Sequence, residues 1–441
     1  MRLKRLCVVL VLFVIGSAYT TLVFADSYQK DTNEFSNYMS EPNGELRLTD
    51  VLIMTVLRNP ELATFSYEIR AQDARVLQSD LLPNPELGVT VEEFGGSGSA
   101  KNFDSAQTTV QVSQLIQLAG KRAKRKGIAL LDKNLAQWDY ESKRLDVLAE
   151  ASRTFVDVLA AQERVGFLGE LVQLSEQLKN TVGARVEAGK VSPLEQTKAD
   201  ISYASTQIEL GLAKRGLEIA RTKLASLWGS GNPEFLKVEG NLYELETPPP
   251  FEQLISLIIK NPDVARWATE IGQRKAVRDF EKSKSIPDIT VSAGTQHFAE
   301  SSDTAFVVGI AVPLPLFDRN QGGINEASAR LNKAYEQSRA VDVRTRSNVV
   351  ETHKSLLSTF DQATALQNKV IPGAQEAFDA AKEGYSQGKF DYLDVLDAQR
   401  TLFGVRAQYI EILANYHKLR ADIDRLIGQY PEAATKNMEA R

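Results

Sequence analysis

The sequence predicts a mainly α-helical fold with a small β part, in which one structural unit occurs twice. Three observations predict it. The chain repeats itself at long range: Asn59-Pro60-Glu61-Leu62 returns as Asn261-Pro262-Asp263-Val264, and Pro85-Glu86-Leu87-Gly88-Val89 as Pro287-Asp288-Ile289-Thr290-Val291, both at an offset of 202. Gly189-Lys190 with Leu194-Glu195 returns as Gly388-Lys389 with Leu393-Asp394 at an offset of 199. That period exceeds any solenoid unit, so the architecture is duplicated. Second, no proline occurs over 122–186, where Leu131, Leu135, Trp138, Leu145, Ala149, Ser152, Val156 and Leu159 keep the 3.5-residue spacing of a coiled-coil seam. Third, each copy carries two short runs of alternating apolar and polar residues.

The elements follow in order within each copy. A helix over 48–80 (251–284 in the second copy) starts near Thr49-Asp50, and Asn-Pro interrupts it after about ten residues, so a kink or a break is expected there. A β-hairpin comes next. Leu87, Val89 and Val91 alternate with Gly88, Thr90 and Glu92, and Val110 and Val112 return after Gly95-Gly96-Ser97-Gly98. In the second copy Ile289 and Val291 alternate with Thr290 and Ser292, and Val308, Ile310 and Val312 return after the loop. The proline-free stretch is then a rod of about 95 Å, and 324–383 matches it with a single proline, Pro372. Each rod turns at its Gly-Lys into a returning helix, over 193–228 and 392–428. A returning helix of about 37 residues stacked under a rising one of about 33 roughly equals one long rod in height.

The two units are placed at 46–228 and 251–428, joined by a linker at 229–250 in an equatorial region; 26–45 is a flexible N-terminal segment and 429–441 a C-terminal tail. Arg2, Lys4 and Arg5 before the apolar run 6–15, with Val23-Phe24-Ala25 ahead of Asp26, give residues 1–25 the order of a secretory signal peptide. An uncleaved anchor is the alternative, and Gly16, Ser17, Thr20 and Thr21 interrupt its apolar run. Cys7 lies at the start of that run, so no lipid anchor is expected.

Composition removes whole classes of function. With 52 Lys and Arg against 57 Asp and Glu, net charge −5, the chain lacks the basic surface that nucleic acid requires. One cysteine and three scattered histidines (His297, His353, His417) exclude thiolate metal sites, disulfide frameworks and CxxC chemistry. No nucleophile–base set or phosphate loop is present, so no enzyme, cofactor or bound metal is expected.

Strands of about ten residues match a tilted crossing of a bilayer, although a soluble hairpin reads similarly when taken alone. Four strands cannot close a barrel, and open edges are not viable in lipid. Two chains would give an eight-stranded barrel filled by side chains, whereas three give twelve strands and a lumen. The economical assembly is a homotrimer: a shared twelve-stranded transmembrane β-barrel continuing as an α-barrel of long coiled-coil helices about 100 Å deep.

The chain resembles the TolC family of outer membrane factors over 46–428. The carrier is Tyr385-Ser386-Gln387-Gly388-Lys389 followed by Leu393-Asp394-Val395-Leu396-Asp397-Ala398-Gln399, with Arg185, Gly189, Ser192 and Glu195 as a weaker first-copy counterpart. Gln117-Leu118-Ala119-Gly120-Lys121-Arg122 and Pro313-Leu314-Pro315-Leu316-Phe317-Asp318-Arg319-Asn320 are similar to the CzcC-like branch, which serves heavy-metal and cation exporters. The resemblance implies the exit duct of a tripartite efflux system, placed in the outer membrane of a Gram-negative bacterium and reaching into the periplasm. Its implied partners are a periplasmic adaptor protein, an inner-membrane pump of the RND type and outer membrane lipids. Drug efflux and type I secretion are alternatives within this class. A periplasmic coiled-coil adaptor or scaffold is the alternative outside it, and the doubled unit argues against that.

The same resemblance places a channel aperture at Asp394 and Asp397. An i, i+3 acidic pair alone ordinarily solvates a helix face; rings of carboxylates on one axis would raise one another's pKa and attract cations. Tyr385, Gly388, Lys389, Arg185, Gly189 and Glu195 fall at tip latch and turn positions. Phe390 replaces a basic residue of that latch, which implies a weaker lock or substitution by Lys389. Finally Lys121, Arg122, Lys124, Arg125 and Lys126 crowd the junction of strand and rod. They suit pairing with anionic headgroups at about 1 kcal/mol each, and equally suit a solvated first helical turn.

Overall fold

The computed structural model describes residues 41–430. The signal peptide expected at 1–25, most of the 26–45 segment and nearly all of the tail at 429–441 lie outside the described residues. The first unit comprises β1 (Gly44–Arg47), α1 (Leu48–Arg58), α2 (Pro60–Ser79), β2 (Glu86–Glu92), β3 (Gln107–Ile116), α3 (Lys121–Glu187) and α4 (Pro193–Ser226). After β4 (Phe235–Glu239) the second unit repeats the order as α5 (Phe251–Leu257), α6 (Pro262–Lys284), β5 (Ile289–Phe298), β6 (Thr304–Ala311), α7 (Gln321–Ala365), α8 (Ile371–Ser386) and α9 (Tyr392–Leu426).

The proline-free stretch is one helix of 67 residues, about 100 Å long. Its second-copy counterpart carries Pro372, which has no N–H to donate. A π-helical turn at Leu366–Val370 takes up the irregularity, and the rod continues as α8. The rods pack as a single layer in the order α2/α4, α3, α6/α9, α7/α8. The central α3 therefore buries residues from more of its circumference than one seam, including Leu145, Leu148, Ala149, Ala151, Ser152 and Phe155. At one margin of the layer α4 presents Leu194, Ile201, Ile208, Leu212 and Ile219, all at least 60% exposed, on a near-heptad stripe of which Ile201 and Leu212 border open grooves shared with α9.

At Asn59 and Asn261 the chain breaks rather than kinks. Each asparagine has an extended ψ and caps the next helix, with proline at the first helical position. α1 consequently leaves the rod and packs at mid-height, where Val51 and Leu52 join Leu148, Phe155, Leu224, Trp228 and Phe235 in one core. The rod that matches α3 is α4 under α2, without the first third of the expected 33-residue helix. Mid-height also holds a feature with no counterpart in the sequence reading: β1 and β4 pair in parallel, so the linker is ordered against the start of the first unit.

The second sheet is antiparallel in the order β2-β3-β5-β6, which joins the two hairpins and leaves β2 and β6 as free edges. Its register aligns Val89 with Val110, Val110 with Thr295, and Thr295 with Phe306. Since side chains alternate along a strand, one face carries Leu87, Val89, Val91, Val110, Val112, Val291, Val308, Ile310 and Phe306. The other carries Thr90, Gln107, Thr109, Gln111, Ser113, Ser292 and Gln296. The apolar face is the uncovered one: Leu87, Val308 and Phe306 are 71%, 75% and 92% exposed. Among the described residues no helix is long and apolar enough to cross a membrane.

Candidate functional site: the helical tip and the barrel junction

Both turns at the far end of the rods need glycine. Gly189 and Gly388 adopt φ of 66° and 75°, the left-handed conformation that a Cβ disfavours. The amides of Lys190 and Lys389 return to the carbonyls of Arg185 and Gly384 at 2.9 and 2.8 Å, which closes each helix. The aromatic ring of Phe390 lies directly over Gly384, where a Cβ would fall inside it.

Three of the expected latch residues meet. Arg185, in the last turn of α3, donates to the backbone carbonyl of Tyr385, and its guanidinium sits 4.3 Å from the Tyr385 ring centroid. The Tyr385 hydroxyl donates to Glu195 at 3.2 Å. This contact ties the α3/α4 hairpin to the α8/α9 hairpin through one tyrosine that is 2% exposed. Burial, reinforced by the Glu195 carboxylate, pushes the Tyr385 phenol up to about 12, and burial does the same for neighbouring Tyr392. Lys389 stays outside: its side chain is exposed and makes no hydrogen bond or ion pair among the described residues. Arg185 supplies the cation, and Phe390 only packs.

Asp394 and Asp397 lie exposed on one face of α9. Asp394 also has a local task, because its carboxylate accepts from the Asp391 amide at 3.0 Å within a capping box. Asp397 has no such bond and lines a groove floored by α3 between α4 and α9, with Lys198, Arg400 and Glu209. No group of three or more His, Cys, Asp or Glu side chains is gathered for a metal ion among the described residues.

At the other end the basic cluster divides. Lys121 is 7% exposed and donates to Asp288 (2.7 Å) and the Ile286 carbonyl (2.6 Å), so it joins the two units. Arg125 donates to the carbonyls of Ser79 and Leu81, and Lys126 to Asp80 at 2.7 Å. The Lys126 hydrogen bond holds the Asp80 carboxyl below its ordinary value. Arg122 is exposed at 3.8 Å from Asp80; Lys124 has no ion-pair partner among the described residues.

Sequence reasoning saw Asn59 and Asn261 as breaks and missed what they join. Asn59 Oδ1 accepts from the Leu62 amide at 3.0 Å while its Nδ2 donates to the Leu227 carbonyl at 2.8 Å. Asn261 does the same between the Asp263 amide and the Leu426 carbonyl, both at 2.8 Å. One buried side chain thus caps the start of an upper half-rod and the end of the lower half-rod. The signal was the exact recurrence of Asn-Pro. Two histidines pin the linker: His417 Nε2 bonds the Leu242 carbonyl and His353 Nε2 the Pro249 carbonyl, each at 2.9 Å.

A wall of long rods continuing into a sheet with an apolar outer face and a polar inner face is a segment of a membrane-embedded tunnel. The comparisons identify it. The chain belongs to the outer membrane efflux protein family, whose model matches residues 52–230 and 254–429. It is 35% identical to the cobalt-zinc-cadmium resistance protein CzcC of Cupriavidus metallidurans over 389 residues, 88% of this chain and 91% of that one. It is 26% identical to the nickel and cobalt resistance protein CnrC of the same organism, over 76% of each chain. The crystal structure of the outer membrane protein VceC from Vibrio cholerae superposes with a TM-score of 0.73 at 18% identity, covering 87% of this chain and 96% of that one. The protein is thus an outer membrane efflux channel component, a conduit and not a catalyst, and it extends into the periplasm.

Proposed function

We propose that this protein is the passive exit duct for divalent metal cations in a tripartite system with a periplasmic adaptor and an RND-type inner-membrane pump. The observation that carries the cargo is the 35% identity to a cobalt-zinc-cadmium resistance protein across 88% of the chain. The working form is a homotrimer. Two free sheet edges and the uncovered stripe on α4 both call for a neighbouring copy in a head-to-tail ring. In that ring Asp397, with Asp394, faces the axis as the cation-attracting constriction, and the Arg185–Tyr385–Glu195 contact holds the tip closed. Deleting the gene from its host tests the cargo: cells should become sensitive to cobalt, zinc or cadmium and keep their tolerance of dyes and detergents. Sensitivity to dyes alone would transfer the protein to drug efflux.

A further inference from the structure

The string 313–320 takes no part in the tip, the aperture or the asparagine caps. Its polar half holds the turn from β6 into α7. Asn320, at φ 56°, donates its backbone N–H to the Asp318 carboxylate at 2.8 Å. Its side-chain amide donates to the carbonyl and carboxylate of Glu281 at 2.8 and 2.7 Å. Arg319 donates from Nε to the Pro315 carbonyl at 3.2 Å. The apolar half packs on almost nothing: Leu314, Leu316 and Phe317 are 76%, 66% and 91% exposed. A firmly held turn that displays three large apolar side chains implies something apolar outside it.

A neighbouring copy and a lipid leaflet are the two candidate occupants, and three observations favour lipid. The exposed stripe Phe306, Val308 and Ile310 on the outward face of β6 continues through Val312, just past the strand's end, into the turn, so the surface is continuous with the membrane face of the sheet. Pro313 and Pro315 have no N–H and stop a neighbour's strand from extending along this edge; Pro83 and Pro85 do the same ahead of β2 at the other edge. Pairing between copies therefore ends at a level where apolar surface continues, with Leu81 and Leu82 also exposed there. Cations lie at the same end of the sheet, Arg319 within the turn and Arg122 at the start of α3. That order, from aliphatic through aromatic to cationic, follows the descent from acyl chains to headgroups.

We propose that residues 312–319 form an interfacial anchor, in which Leu314, Leu316 and Phe317 insert at the acyl–headgroup boundary of the inner leaflet and Arg319 reaches phospholipid phosphate. The inference rests on the sheet being the membrane-embedded part of an assembled channel. The test places a single fluorophore by Phe317→Trp, or by Leu316→Trp should the first variant fail to assemble. The full chain is reconstituted in phosphatidylethanolamine vesicles whose acyl chains are brominated either near the glycerol end or near the methyl end. Emission is read as the difference from the parent, and Val308→Trp on the outward strand face serves as control. The expected result is a loss of emission with shallow bromines and little loss with deep ones, while the control responds to the deep ones. If the control is quenched and the turn fluorophore is not, a neighbouring copy or water covers the turn and the anchor is overturned with the channel reading intact. If neither is quenched, the sheet is not in the bilayer and both readings fall.

Discussion

Arg185 is the residue on which the tip depends most, since it makes two contacts with Tyr385 where the tyrosine makes one with Glu195. Arg185→Ala should therefore raise planar-bilayer conductance more than Tyr385→Phe, which keeps the ring and loses a hydrogen bond of about 1 kcal/mol. Equal effects would mean that the hydroxyl carries the lock. The tip tyrosines also set an alkaline limit. Their folded pKa values stand at about 12, above the value of about 10 for an unfolded tyrosine. The neutral folded form is favoured fully below about pH 10, and its stability is lost as pH rises from about 10 towards about 12. Tyr392→Phe should flatten that decline in thermal melts recorded against pH, and an unchanged slope would contradict it. At the proposed aperture, Asp394→Asn keeps a capping oxygen whereas Asp394→Ala does not, so only the alanine variant should lose stability, by about 1 kcal/mol. Asp397→Asn should lower cation selectivity and leave the melting temperature in place. The Tyr385–Glu195 contact was legible because the motif strings carry both residues. Arg185's grip was not, because a backbone carbonyl and the face of a ring leave no mark on residue spacing.

Elements were legible where one periodicity ran unbroken, as over α3. They were less so where chain direction is set by backbone caps. Asn59 looked like an interruption because the sequence shows the proline and hides the distant acceptor, the Leu227 carbonyl of a helix that ends 168 residues later. The two asparagines make each pair of half-rods act as one. Asn59→Ala removes both caps and should cost about 1–2 kcal/mol. Asn59→Asp keeps the acceptor for Leu62 and sets a negative charge against the carbonyl end of α4, so it should be no better tolerated despite the usual excellence of aspartate as an N-cap. A melting temperature equal to the parent's in Asn59→Asp would show that the Leu227 bond is immaterial. The strand pair β1–β4 escaped the sequence reading for a similar reason: strands of 4 and 5 residues carry too few alternations to register.

At the scale of the whole molecule, length and duplication determined most of the outcome. Two copies of helix, hairpin, rod and returning helix yield four rods and four strands, and neither set closes on itself. The exposed stripe on α4 was hidden in the sequence, where Ile201 and Ile208 look like core positions of a returning helix; only the packing order reveals that α3 occupies the opposite side. Ile201→Glu with Ile208→Glu should leave the protomer folded and prevent assembly, so the central claim concerns copy number. The most direct measurement is the protein mass of the channel extracted from the outer membrane in detergent, with the bound lipid and detergent subtracted by light scattering. The account predicts three chains per particle. A particle of two chains, or a stable monomer, would contradict it.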